Sequence, residues 1–564
     1  MRANVALPSA AATEATLKAW LTRGATMLER RRWWVLGVCV IGQWAFIARE
    51  ALNRIPHNGW LYQHGDDGPW YWTSAWTLTS LHVPVTEVGL GWPYLLTPLA
   101  AIFGPDMADG LPAIIALNVL VLAPASVVGM YLIGERIAGR LFGVWTACLW
   151  VLAPLLALAL YSATNRPVVV ATFLPTGLGL NSLSDYPSMV CAIFAAYLLL
   201  RALDDNDLRS GALCGIALGF LVLLKPGNGP LVLAGLLVLA LAFRHRALAG
   251  TIVAMLPALL ALALWKNSGR GMVPLLSLGT TREAMGSPAP VAANLDPYLR
   301  LNWHHLGQNV DALGEVFWSV RLLELLLVAG AMGLLVRGRM KGLLVVGWFV
   351  AFAVIKASPT YAGVKDTSVY RFLLPGWPAW VLIVAAVVLC WPVGAARRVR
   401  QRAEDAERSA TARPPVRGLI AAAAALLAVG PLVLAAAASP VHRGTVAQMD
   451  YGGAPVTIED FQLRARQIGP HTVELDWSHI RTSRARYAYR IFKGDDAGCH
   501  YANVGAPDCL FRMPLITSVR RPVYIDRNAG GRKVYRVALA EGTRVQPDNT
   551  ALLLLSKPIV FVTH

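Results

Sequence analysis

Long apolar runs constrain this chain more than any other feature. About eleven stretches of Leu, Val and Ala approach the ~20 residues a helix needs to cross a ~30 Å hydrocarbon layer, and short polar or basic turns separate them. They fall near residues 33–51, 112–133, 141–161, 186–203, 210–224, 229–243, 247–265, 319–336, 342–357, 372–391 and 418–438. A chain of 564 residues that is 56% hydrophobic and 15% charged, with a mean hydropathy of +0.50, excludes a single water-soluble core. The expectation is a polytopic α-helical membrane protein. Its formal charge of +18 would point to nucleic acid in a soluble chain, but many of these Lys and Arg residues flank apolar spans, where they set orientation. Nucleic-acid binding is therefore excluded as a reading.

The N-terminus has no signal-peptide cleavage pattern, and Arg30, Arg31 and Arg32 precede the first span. Residues 1–32 are thus expected in the cytoplasm, with residues 33–438 forming the membrane domain. The alternate turns then carry Arg136 and Arg140, Arg209, Arg244 and Arg246, Arg337 with Arg339 and Lys341, and the cluster from Arg397 to Arg417. Every short inner turn is basic, as a multi-pass protein of the cytoplasmic (inner, plasma) membrane requires. The outer segments 52–111, 162–185, 266–318 and 358–371 are longer and hold most of the Trp, His and Asp residues found outside the spans. An odd number of spans places residues 439–564 outside as well.

That tail alternates with period two in His471–Trp477, Tyr487–Lys493, Pro522–Asp526, Lys533–Ala540 and Lys557–Thr563, between clusters of Gly, Asp and Pro. It reads as a small extracytoplasmic β-domain. Val473–Trp477 followed by Tyr487–Phe492 resembles the second and third strands of a fibronectin type III sandwich. Five of the seven cysteines (Cys39, Cys148, Cys191, Cys214 and Cys390) fall in spans, where cysteine acts as a small hydrophobe. Cys499 and Cys509 lie in the tail, where an oxidising compartment would close them into a disulfide contributing roughly 3 kcal/mol.

Four outer constellations carry candidate chemistry. The first loop holds adjacent carboxylates, Asp66 and Asp67, among Trp60, Tyr62, Trp70, Tyr71, Trp72 and Trp76. Carboxylates beside a membrane invite a functional reading, and aromatic walls suit a sugar or a lipid. Leu183-Ser-Asp-Tyr-Pro-Ser188 puts Asp185 and Tyr186 at the start of a span, where Asp185 also has the character of an N-cap. Lys225 ends a span on the side that positive charge avoids, and Lys365 and Arg371 stand just before another, so an anion is the expected ligand of the three. His304 and His305 are adjacent, so they cannot both face one metal from a regular element, and no metal-ligand set is read from the sequence. A divalent cation remains compatible with the adjacent carboxylates.

No Walker loop and no strand-to-helix G-x-G-x-x-G are present. One carboxylate, several cations, aromatic walls and an approach from the bilayer suit a lipid-phosphate substrate. Transfer of a sugar from a polyprenyl phosphate to a hydroxyl needs one general base. The leaving phosphate needs cations rather than a second acid.

At these residues the chain resembles the GT-C superfamily of integral membrane glycosyltransferases, in particular protein O-mannosyltransferases and lipid A aminoarabinose transferases. The resemblance spans roughly residues 33–391. It rests on Asp66-Asp67 with Trp70, Tyr71 and Ala75, on Asp185-Tyr186-Pro187, on Lys225-Pro-Gly227, and on Arg371-Phe-Leu-Leu-Pro375. An Asp stands where those enzymes usually have Glu in the acidic pair, and a Gly-Pro follows it. The resemblance implies an inverting transferase with Asp66 as base and Asp67 supporting it. Lys225, Arg371 and Lys365 would hold the donor phosphate, and Asp185, Tyr186, Trp70 and Tyr71 would contact the sugar or order the loop. The implied partners are a polyprenyl-phosphate sugar donor, a glycan, lipid or protein acceptor of the cell envelope, and membrane lipid. A transporter or flippase for a lipid-linked anion is the alternative, with the same cations serving passage.

Overall fold

The computed structural model describes residues 27–57, 62, 68–83, 88–103, 107–268, 301–316, 320–359, 362–365, 367–390, 414–440, 446–448, 455–459, 463–478, 487–494, 515–541, 552–556 and 559–563. Asp66 and Asp67 lie outside the described residues, as do Cys499 and Cys509.

Apolar runs become helices because, without water, only intrachain hydrogen bonds satisfy the backbone. Among the described residues, seven helices are long and apolar enough to cross a membrane. They are α1 (Arg32–Asn53), α4 (Gly110–Ala138), α5 (Arg140–Leu160), α6 (Asp185–Asp205), α9 (His245–Trp265), α12 (Met340–Ala357) and α13 (Ser368–Cys390). The other four expected spans are helical too. Two contain shorter apolar helices, α7 (Leu208–Leu224) and α8 (Pro226–Leu241), and the others are the 19-residue α11 (Val320–Gly338) and α14 (Pro414–Ala437), with the apolar stretch Ala422–Ala437. The expected outer loops are not irregular either: the first contains α2 (Gly68–Thr79) and α3 (Gly91–Phe103), and the third contains α10 (Trp303–Val316).

α6 is the spine. At 1.5 Å per residue its 21 residues run about 30 Å, and it is the most buried of the seven long apolar helices. α4, α7 and α13 pack along it. At its far end Asp204 accepts Arg136 at 3.0 Å and Lys341 at 2.9 Å, tying α4 and α12 to it. α7 packs closely on α9 through small residues, the usual device between helices in lipid. A Cβ on Gly211 would stand 2.2 Å from the carbonyl of Ala247, and one on Gly215 would stand 2.2 Å from that of Thr251. α4 contains a π-helical turn over Leu117–Leu122, whose buried Asn118 donates to the carbonyls of Gly179 and Asn181 at 3.0 and 3.2 Å.

The C-terminal region is strand-rich, as the alternating pattern demands. Strands β3 (Val446–Gln448), β4 (Pro455–Glu459), β7 (Tyr487–Gly494), β8 (Leu515–Val519), β10 (Arg532–Glu541), β11 (Leu552–Ser556) and β12 (Ile559–Val562) form a seven-stranded sheet in the order β3-β4-β11-β10-β7-β8, with β12 on β10. A second sheet has the order β5 (Arg464–Gly469), β6 (Thr472–Asp476), β9 (Val523–Asp526). Val473, Leu475 and Trp477 from the smaller sheet and Tyr489, Ile491, Tyr535 and Val537 from the larger one belong to one buried cluster. Trp477 meets Tyr489 edge-on, with ring centroids 5.3 Å apart. A short parallel pair, β1 (His82–Val83) with β2 (Ser439–Pro440), fastens the segment after α14 to the one after α2.

Candidate functional site

The sequence places a carboxylate at the start of α6, and the structure surrounds it with cations from three other helices. Ser184 occupies the N-cap position, so Asp185 is the first residue of α6 and does not cap it. Its side chain, fully buried, turns instead to two charges. Oδ1 accepts Lys225 Nζ at 2.5 Å, and Oδ2 accepts Arg371 Nε at 3.0 Å. Lys225 is the C-cap of α7, and Arg371 lies in the first turns of α13; their side chains are 18% and 14% exposed. Both cations stand over the Phe372 ring, 5.3 and 5.9 Å from its centroid. The three residues that the sequence reading drew from separate motifs thus form one contact network.

A fourth charge joins them that the sequence reading missed. Lys356, in the last turn of α12, interacts electrostatically with both Lys225 and Asp185. Its ammonium lies against Gly227, close enough that a Cβ there would stand 2.5 Å from Nζ. Gly227 follows Lys225 by two residues, and the missing side chain is what admits the second lysine. Among the described residues Lys356 has no ion pair or hydrogen bond. Among the described residues, these three cations and one carboxylate carry a net charge of +2.

The segment ahead of Asp185 is held from several sides. Asn118 binds the carbonyls of Gly179 and Asn181, Trp92 Nε1 donates to the carbonyl of Ser182 at 2.7 Å, and the Tyr71 hydroxyl meets Ser184 Oγ at 2.5 Å. Tyr71 belongs to α2, which begins one residue after Asp67, and Trp70 is the third residue of the same helix. Tyr186 is buried and packs against Gly179, on the inner side of that segment.

Lys365 stands apart from this network. Its ammonium pairs with Glu315 at 2.8 Å, and the two side chains are 70% and 66% exposed. His304 and His305 both meet the Gln308 side chain, and His305 Nε2 also meets the carbonyl of Ala362. No group of three or more His, Cys, Asp or Glu side chains suited to a metal occurs among the described residues.

No protein-family model matches the chain, and no curated protein matches its sequence. Solved structures do. The chain is similar to archaeal oligosaccharyltransferases. The apo enzyme from Archaeoglobus fulgidus shares 15% identity at a TM-score of 0.40, over 74% of this chain and 57% of that one. AglB from the same organism, in complex with an inhibitory peptide and a dolichol-phosphate, gives 15% identity and a TM-score of 0.38 over the same shares. A third structure, the A. fulgidus enzyme with Zn and sulfate, gives 0.39 at 15% identity, covering 73% of this chain and 54% of that one. The chain thus spans little more than half the length of these proteins, and a likeness this loose decides nothing about its chemistry.

Proposed function

We propose that this chain is an inverting glycosyltransferase of the GT-C type, moving a sugar from a polyprenyl-phosphate donor to a cell-envelope acceptor at the outer face of the cytoplasmic membrane. The observation that carries the reading is the convergence of Asp185, Lys225, Lys356 and Arg371 at one end of the helical bundle, with two positive charges in excess. A sugar phosphodiester carries one negative charge, and the phosphate monoester that leaves it carries close to two near neutral pH. A site of charge +2 therefore matches the departing group better than the bound donor, which is the condition for accelerating the step.

In this reading the acceptor oxygen attacks the anomeric carbon from the face opposite the phosphate, and its proton passes to Asp66, with Asp67 supporting. The bond between the anomeric carbon and the phosphate oxygen breaks. Its electron pair stays on the phosphate, where Lys225, Lys356 and Arg371 receive the charge. Asp185 keeps Lys225 and Arg371 in register between turnovers, since two neighbouring, partly buried cations repel each other. Lys365, on the exposed rim, serves the approach of the donor and not its phosphate's final seat. Tyr71 couples α2, which follows the acidic pair in sequence, to Ser184 beside Asp185, and Trp70 and Tyr186 line or brace the sugar's surroundings. The basic turns at the other end of the bundle, including Arg136 and Lys341, support a cytoplasmic placement for that end.

Mass spectrometry of the polyprenyl-phosphate fraction tests the proposal, comparing cells that carry the wild type, a deletion and Asp66→Asn. One polyprenyl-phosphate sugar should accumulate equally in the deletion and the point mutant. If neither changes that fraction, the transferase reading fails and a carrier of lipid-linked anions takes its place.

A further inference from the structure

Lys356 and Arg371 sit on consecutive helices joined by the segment 358–367, so their separation depends on how that segment is held. α10 holds it at several points. Asn309, buried on the inner face of α10, donates from Nδ2 to the carbonyls of Ala357 and Ala362 at 2.8 and 2.7 Å, and its Oδ1 accepts the Val364 amide at 3.1 Å. His305 Nε2 reaches the same Ala362 carbonyl at 2.9 Å, and the Asn302 amide donates to Ser358 Oγ. Glu315 adds the exposed pair with Lys365. One amide side chain thus makes three hydrogen bonds across the turn that begins one residue after Lys356 and ends seven residues before Arg371.

We propose that Asn309 is a positioning residue for the phosphate seat, acting through Lys356. The inference rests on the transferase reading above and adds to it a control of the seat from the third outer segment. An amide suits the task better than any apolar residue of similar volume, because the turn exposes two carbonyls and one N–H toward it and each needs a partner once buried. A charged cluster needs such a brace for a further reason. Lys225 and Lys356 repel each other, and a loosened turn would let the Lys356 ammonium swing toward water and drop out of the seat.

The test titrates farnesyl phosphate, a short polyprenyl monoester, into the full-length protein in detergent and reads the affinity by calorimetry. Asn309→Leu should weaken binding about 10-fold, and Lys356→Met should weaken it at least as much. The double variant should bind no worse than Lys356→Met alone, because the brace has nothing left to position. Hydrogen exchange should also quicken over 358–365 in Asn309→Leu while the spans keep their protection. Asn309→Ser serves as the second variant if leucine prevents folding. Wild-type affinity in the Asn309 variants, or losses that multiply in the double variant, would overturn the proposal and leave the phosphate reading standing. If the wild type itself fails to bind the probe, the phosphate reading falls and this inference falls with it.

Discussion

Replacing Lys356 by Met should make the protein more stable and the enzyme worse. The ammonium interacts with one cation, Lys225, and one anion, Asp185. The repulsion from Lys225 and the attraction to Asp185 have opposite signs and work against each other. What remains is the cost of withdrawing a half-buried ammonium from part of its water, with no hydrogen bond among the described residues to offset it. Methionine has an unbranched side chain and packs into irregular apolar space. Removing the charge should therefore stabilise by about 1–2 kcal/mol and raise the melting temperature in detergent by a few °C. Transfer from the donor should fall about 10²-fold, the usual consequence of losing one preorganised group that meets developing charge. A melting temperature that drops would mean that Lys356 has a structural counter-charge. Unchanged turnover would mean that the excess charge plays no part in the reaction. Either result refutes the reasoning.

Three other outcomes follow from the same structure. Asp66→Asn should abolish transfer while expression and the melting temperature stay at the wild-type level, and activity in that variant would remove Asp66 as the base. Gly215→Leu should cost at least ~2 kcal/mol, because even its first carbon would stand 2.2 Å from the Thr251 carbonyl; the melting temperature of the purified protein reads this, and a neutral effect would mean that α7 and α9 separate freely. In the strand-rich region burial pushes the Asp526 carboxyl up, but the Tyr535 hydroxyl at 2.7 Å and the Lys493 ammonium at 2.9 Å hold it below the usual carboxylate range. A depressed value in the folded state means stability that is present above the unfolded value of ~3.9 and lost as pH falls through the folded one. Asp526→Asn should accordingly be less stable than wild type at pH 6 and lose less on acidification below pH 4; parallel curves would show that Asp526 does not carry the effect.

How far the sequence could be read depended on whether local pattern or long-range packing decided each feature. The apolar runs and the period-two alternation are local, and every expected span and tail strand has a helix or strand beneath it. Asp185, Lys225 and Arg371 were legible as charges in unusual positions, at the ends of apolar helices on the side that the sequence pattern assigns to the outer face. Lys356 carried the same signal at the end of the 342–357 run, but a lysine near a helix end also reads as a side chain reaching for the headgroups. Only the approach of Gly227 separates the two cases. Lys365 and Arg371 are six residues apart and look alike in sequence; α10 anchors the intervening turn so that Arg371 faces Asp185 while Lys365 faces Glu315. The pairing of distant segments such as Leu81–Val83 with Ser439–Pro440 leaves no trace in composition at all.

The two ends of α6 supply an internal control for the charge argument. Asp204 and Asp185 each receive two cations from neighbouring helices, at similar distances, so a count of ion pairs would rank them equal. Burial separates them. Asp204 is 30% exposed and its partners reach water, so removing its charge should cost no more than about 1 kcal/mol. Asp185 is 0% exposed, and Asp185→Asn would take the buried carboxylate charge away from both Lys225 and Arg371, a loss of about 3–5 kcal/mol. Melting temperatures of Asp204→Asn and Asp185→Asn in the same detergent should therefore differ by several degrees, and added phosphate should recover part of the loss only in Asp185→Asn, where an external anion can take the vacated position. Equal losses, or equal recovery, would mean that the buried cluster is an ordinary helix-end ion pair, and the case for an anion site at that end of α6 would not survive it.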